Sequence, residues 1–404
     1  MVNGMTVREY IKTSWDKSLR RRGHRADGIA LPYSYNSPCA EGLFDEFYYW
    51  DTCFINKGLL ADGKTEDALH NALNTAYLIE RYGFMPNAAV TGMLNRSQPP
   101  LFVVMVRDIL PFLSDEGIAK RLISALEREY RFWMNERILP CGLNRYGSSA
   151  DRETKIFMAT EAEQRLGKPL GGDREKLGGN ILAECESGWD FSPRFSRRCT
   201  EFAPVDLNSL LYLCEQTLAE YSSSDVREGY RRAAVVRAEK MRRYCFDGRI
   251  LTDAIPGEGC SETVSVACML PFWVGISSDA EALRTILSRL EYGKGIAACD
   301  KASYDAACQW GYPNMWAPLV WFACEALKTA GLVADARRVG EKYLAAVEES
   351  FSETGKIWEK YDAETGGKAT LHEYAETEML GWSAGVYNVL YDEWRKMPQE
   401  RRKG

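Results

Sequence analysis

The chain has 404 residues, 46% of them hydrophobic and 27% charged, with a formal net charge of −6. That length can bury a large core, and an acidic balance without long runs of one sign argues against a nucleic-acid partner, which needs a basic face to displace counterions. No segment approaches the roughly 20 apolar residues that span a bilayer, and the first 25 residues hold no apolar run of leader length, so a cytoplasmic protein with no membrane partner is expected.

In chain order, helical periodicity appears first near residues 5–20. Thr65 to Tyr82 has an apolar stripe at Leu69, Leu73, Ala76 and Ile79, with Thr65 as its expected N-cap and acids in its first turn. Further helices are expected near residues 101–113, 115–136 and 205–221. Asp225 to Phe246 repeats the stripe through Val226, Tyr230, Ala233, Met241 and Cys245, with Gly248 placed as a C-cap residue would be. Residues 279–291, 315–330, 334–350 and 382–396 complete the helical set. Strand signals are few; Thr263 to Cys268 reads equally as a short strand or as the start of a buried helix. Leu143 to Asn180 carries six glycines, Gly147, Gly167, Gly171, Gly172, Gly178 and Gly179, and reads as loop-rich. No Gly-Lys-Ser/Thr follows any of them, so a phosphate-cradling loop is not expected. The class is all-α.

Twelve cysteines are scattered with no Cys-x-x-Cys pair, which argues against a zinc ribbon and for reduced, packed thiols. Only His24, His70 and His372 are present, too few for a His-rich metal site or for chemistry built on a histidine base. No metal and no cofactor are expected.

Carboxylates, amides and aromatic rings crowd together in five places outside the amphipathic helices. These are Phe44 to Asp51, Pro86-Asn87 with Asn95 to Pro100, Glu186 to Asp190, Gln309 to Asn314, and Trp358 to Asp362 with His372-Glu373-Tyr374 after it. A pyranose needs that mixture, because its C–H face packs on a ring and its hydroxyls need directional partners. Hydrolysis of a glycosidic bond adds two carboxyl groups, one to protonate the leaving oxygen and one to activate water or attack the anomeric carbon. Asp190, beside Gly188 and Trp189, suits the acid, since an indole excludes water and raises a carboxyl pKa. Glu359, between Trp358 and Tyr361, suits the base. Each feature also has a plain structural use: Trp-Asp as a helix cap beside a core ring, Pro86-Asn87 as a turn, Glu359-Lys360 as a solvated charge pair.

At these clusters the sequence resembles the trehalases, glycoside hydrolase family 37, and more distantly the α-glucosidases and mannosylglycerate hydrolases of family 63. FDEFYYWDTCF at Phe44 to Phe54, the blocks from Met85 to Pro100, ESGWDFSPRF at Glu186 to Phe195, PVDLN at Pro204 to Asn208, QWGYPNMWAP at Gln309 to Pro318 and EKYD at Glu359 to Asp362 occur in the family's order, followed by Glu373-Tyr374 and Gly381-Trp382. The resemblance implies an (α/α)6 toroid with long active-site loops, one catalytic domain over residues 1–404 with a loop-rich insertion around 143–180, and an inverting α-glycosidase acting on a small sugar, trehalose first among substrates. It implies Asp190 as general acid and Glu359 as base, their carboxyl groups about 6.5–9.5 Å apart, with Glu373 a second acid near the sugar and a rival for the base. Phe44, Trp50, Asp51, Asn87, Arg96, Gln98, Gly188, Trp189, Gln309 and Trp310 are then expected to bind substrate.

The departures lie toward the leaving group. Leu43 stands where the family has an arginine, Gly311 where it has an aspartate, Val90 where an arginine is common, and Asp151 to Thr154 is a shifted counterpart of an Arg-Pro-Glu-Ser stretch. Losing a guanidinium fork removes a bidentate hydrogen-bonding partner. An α-glucoside or α-mannoside with another leaving group, such as glycerate, is the alternative substrate. Two other readings of the toroid are a sugar epimerase, which would call on histidines of which only His372 falls near a motif, and a non-catalytic sugar-binding protein, against which both carboxylates stand.

Overall fold

The computed structural model describes residues 4–21, 26–40, 42–369, 377–378 and 381–396. The helices among them are α1 (Val7–Ser18), α2 (Tyr49–Ala61), α3 (Thr65–Tyr82), α4 (Phe102–Ile109), α5 (Glu116–Glu136), α6 (Arg152–Leu166), α7 (Arg174–Ser187), α8 (Val205–Tyr221), α9 (Ser224–Tyr244), α10 (Leu270–Trp273), α11 (Ala280–Leu290), α12 (Ala317–Thr329), α13 (Val333–Thr354) and α14 (Gly381–Trp394).

Burial sorts these helices into two rings. α2, α4, α8, α10, α12 and α14 are buried along most of their length, whereas α1, α3, α5, α9, α11 and α13 bury one stripe. Each inner helix packs on the next, α2 on α4, α4 on α8, α8 on α10, α10 on α12, α12 on α14, and α14 back on α2. That closed circuit of six inner helices inside six outer ones is an (α/α)6 toroid. The closure is tight because two glycines meet: a Cβ on Gly58 would stand 2.6 Å from the Gly385 Cα, and one on Gly385 would stand 2.0 Å from the Phe54 carbonyl oxygen.

Short strands appear only in the connections. Antiparallel pairs join β1 (Leu19–Arg20) to β2 (Tyr35–Asn36), β3 (Ala254–Ile255) to β4 (Gly259–Cys260), and β5 (Asn314–Trp316) to β6 (Lys360–Asp362). Residues 266–269 form a 3₁₀ turn running into α10, so the apolar run ending at Cys268 is a buried helix start.

Several expectations are corrected. Lys64, not Thr65, is the N-cap of α3, and Gly248 lies in the turn beyond Cys245, the C-cap of α9. The stretch from 143 to 180, expected as loop-rich, contains α6 and half of α7, which pack together as a hairpin inserted between α5 and α8. Three of its six glycines, Gly167, Gly178 and Gly179, serve helices. Gly167 caps α6 at φ 64°, and Gly178 lies within α7 where a Cβ would fall 1.7 Å from the Lys155 carbonyl oxygen.

Candidate active site

α7 ends in the ESGWD motif at Glu186 to Asp190. Gly188 is its C-cap, at φ 75° and ψ −2°, and its N–H donates to the Cys185 carbonyl at 3.2 Å. A Cβ there would meet Trp50 Cε3 at 3.3 Å, so the glycine provides both the left-handed turn and the room for an indole. Trp189 is buried between the Trp310 ring, 5.6 Å away, and the Arg194 guanidinium, 4.3 Å away. Arg194 forks onto Asp206 at 2.9 and 2.9 Å and onto Asp253 at 2.9 and 3.0 Å. This fully buried ion triad anchors the ESGWDFSPRF segment to the start of α8. Asp190 itself is partly exposed. Burial still pushes its pKa up, with Arg96 and Arg165 drawing it down. Glu186 takes no part in this opening: its carboxylate binds Arg137 at 2.8 and 3.0 Å and the amides of Ser97 and Gly147 at 2.8 and 2.7 Å, joining three segments.

The second carboxylate comes from the loop before α14. β6 pairs with β5 so that Lys360 lies opposite Trp316. Glu359 is buried, its Oε2 accepts from Lys360 Nζ at 2.5 Å, and its carbonyl accepts from Trp382 Nε1 at 3.0 Å and Ser383 Oγ at 3.1 Å. Glu359-Lys360 is therefore a buried ion pair and not a solvated one. Its ammonium also lies 4.7 Å from the Trp316 ring centroid. Asp51, in the first turn of α2, has its pKa pushed up to about 7 by burial, the Glu359 charge adding to the effect.

Trp310 connects the two halves. It stacks on Trp316 at 3.7 Å, meets Trp50 and Trp382 edge-on at 6.2 Å each, packs on Trp189, and donates its backbone N–H to the Phe191 carbonyl at 3.4 Å. Rings adjoining both carboxylates thus touch one indole.

The remaining expected residues line up behind this cluster. Gln98 Oε1 accepts from the Trp50 N–H at 2.8 Å, which caps the first turn of α2. Asn87 is buried, donates from Nδ2 to the Ser97 and Cys185 carbonyls at 3.4 Å each, and joins the Arg96 carbonyl to the Tyr49 amide through its backbone. Arg96 donates to Asn95 Oδ1 at 2.9 Å, and its charge draws the Asp190 pKa down. The Gln309 carbonyl accepts from Asn314 Nδ2 at 2.8 Å and Trp316 Nε1 at 3.2 Å. Phe44 packs edge-on against Tyr48 at 5.5 Å, just before α2. His372 and Glu373 lie outside the described residues. Sequence reasoning passed over Trp316, Trp382 and Lys360 as site residues, although all three stand inside or beside the motifs already singled out, and over Arg165, which no local signal marks. Among the described residues there is no group of three or more His, Cys, Asp or Glu able to hold a metal ion, and no helix long and apolar enough to cross a membrane.

A carboxyl held toward its protonated form, a second carboxylate fixed by a buried lysine, and a wall of indoles between them suit acid–base cleavage of a glycoside. The trehalase family model matches residues 6–394. The chain belongs to the trehalase family. A periplasmic trehalase of Xanthomonas axonopodis pv. citri (strain 306) is 32% identical over 426 residues, spanning 95% of this chain and 72% of that protein. Neutral trehalase Nth1 of Saccharomyces cerevisiae superposes with a TM-score of 0.76 at 24% identity, over 98% of this chain and 80% of its own. The GH63 mannosylglycerate hydrolase of Thermus thermophilus, in complex with Tris and D-glycerate, superposes at 0.62 and 15% identity, over 95% of this chain and 99% of its own. Both superpositions bear on the fold alone. This trehalase-family protein is a glycoside hydrolase with a sugar substrate, which displaces the epimerase and non-catalytic readings. The cytoplasmic expectation is also corrected: its curated relatives are named periplasmic trehalases and point to the periplasm.

Proposed function

We propose that this enzyme hydrolyses α,α-trehalose with inversion, Asp190 acting as general acid and Glu359 as general base. Asp190 protonates the glycosidic oxygen as the bond to the anomeric carbon breaks. Glu359 takes a proton from a water that attacks the same carbon from the opposite face, giving β-glucose from the cleaved unit and α-glucose from the leaving one. The observation that carries this reading is the pairing of a partly exposed carboxyl whose pKa is raised with a buried carboxylate on a lysine, in segments packed against one tryptophan. On this reading Asp51, Arg96, Trp50 and Trp189 hold the cleaved glucose.

The leaving-group side carries the departures. Leu43 is 57% exposed, and a Cβ on Gly311 would press on the Cys308 carbonyl at 3.2 Å, which leaves little room for an aspartate. Arg152, in the shifted counterpart of the Arg-Pro-Glu-Ser stretch, faces out and pairs with Glu175 at 3.5 Å. These features support a rebuilt receiving site around a retained acid–base pair. Asp190→Asn and Glu359→Gln should each lower trehalose hydrolysis by about two to four orders of magnitude without unfolding the protein. Near-normal turnover in either variant removes that residue from its role. An active Glu359→Gln beside an inactive Glu373→Gln moves the base to Glu373.

A further inference from the structure

The loop that presents Asp190 is held in a backbone conformation that side chains disfavour. Phe191, Ser196 and Arg197 have φ of 56°, 46° and 61°, and non-glycine residues keep such values where their surroundings impose them. These are the only left-handed non-glycine residues among the described ones, and all fall in the loop from 191 to 197.

Its far end returns to one buried side chain of α7. Glu184, in the last turns of α7, is 1% exposed, and its Oε2 accepts from Arg197 Nη1 at 2.9 Å. Its Oε1 is buried with no hydrogen-bond partner, so Arg197 is the contact that holds this carboxylate. The Phe191 ring packs with Ala159, Ala162, Leu177 and Ile181 in a small core of the α6–α7 hairpin, and it lies 5.2 Å from the Arg197 guanidinium. Burial pushes the Glu184 pKa up to about 7, with Arg197 opposing and the Asp190 charge adding to the rise. A carboxylate this enclosed is costly unless it is paired, so the Arg197 contact and the strained turn are mutually required.

We infer that Glu184 is a positioning residue: through Arg197, whose guanidinium also lies against the Phe191 ring, it fixes the turn that aims the Asp190 carboxyl at the glycosidic oxygen, with the α6–α7 hairpin as its platform. This rests on the reading of Asp190 as the general acid. A loosened turn then costs proton delivery to the leaving group while water activation at Glu359 is untouched.

The discriminating substrate is α-D-glucosyl fluoride, whose fluoride departs as the anion while the attacking water gives its proton to Glu359. Full-length Glu184→Gln should lose on the order of tenfold to a hundredfold in kcat on trehalose, the scale of a small misplacement of a reacting group, with KM little changed and kcat on the fluoride within about twofold. Arg197→Gln, at a side chain 21% exposed, should show the same dependence on leaving group and serves if Glu184→Gln does not fold. Equal losses on both substrates, or no loss on either, overturn the positioning role. Asp190→Asn is run beside them: if it fails to favour the fluoride over trehalose, the acid assignment falls and the positioning role with it. If it does discriminate and the other two variants do not, the positioning role alone is lost.

Discussion

Gly188→Ala, compared with Gly167→Ala, separates what a helix cap costs from what the active site needs. Both glycines end a helix in the left-handed region, at φ 75° and 64°. An alanine in that conformation loses about 1–2 kcal/mol, and at Gly167 nothing else is within 4 Å of the added Cβ. At Gly188 the Cβ also meets Trp50 Cε3 at 3.3 Å and Pro99 Cδ at 3.6 Å. Trp50 has little freedom to yield, since its amide is bonded to Gln98 and its ring packs on Phe54 and Trp310. Overpacking of this kind adds about 1–3 kcal/mol, for a total of roughly 2–5 kcal/mol. With an unfolding entropy of about 2.1 cal/mol/K per residue, the 404 residues give roughly 0.85 kcal/mol per kelvin. Gly167→Ala should therefore lower Tm by about 1–2 °C and Gly188→Ala by about 2–6 °C. Only Gly188→Ala should also depress kcat, by about tenfold or more, because it displaces Trp50 and the turn into Asp190. Calorimetry and steady-state kinetics on both variants supply the comparison. Matching Tm losses with unaltered turnover in each would refute the reasoning.

Arg194→Met leaves Asp206 and Asp253 buried without their shared cation and should cost about 3–5 kcal/mol, read as a lower denaturant midpoint; an unchanged midpoint would show that the triad contributes no net stability. Glu129, buried beside Tyr49, whose hydroxyl donates to it at 2.6 Å, has its pKa raised by burial to about 8 from an ordinary 4.5. A carboxyl raised on folding contributes stability that is complete below its unfolded pKa and is lost as pH rises through the folded one, here between about 4.5 and 8. Glu129→Gln should thus gain stability relative to the parent as pH increases across that window, on the order of a few kcal/mol at its upper end, and a pH-independent difference in Tm would contradict the assignment. Asp51→Asn should show the same sign, over a window ending near pH 7.

Outer helices were legible because they bury one stripe: α3 and α5 lie over 65–82 and 116–136, close to where periodicity predicts them. α2 was hidden for the opposite reason. Tyr49 to Leu59 is buried on every side, so polarity does not alternate along it, and its polar members read as a loop cluster. α6 buries only Ala159 and Ala162 and leaves no stripe to read, while Gly167 and Gly178, which looked like breakers, are a cap and a close contact. At the site, residue types in ordered motifs pointed to Asp190, Glu359 and the tryptophans. The partners that hold them did not show, because Glu184 with Arg197, or Lys360 with Trp316, meet only after the chain has folded. Gln98 was read as a sugar ligand, and nothing local revealed that it also caps α2.

The central claim is inversion at one glucose by an acid and a water-activating base. Proton NMR of the first turnovers on α,α-trehalose, recorded before mutarotation, reads it directly. Inversion gives α- and β-glucose in equal amounts from the start; α-glucose alone would mean retention.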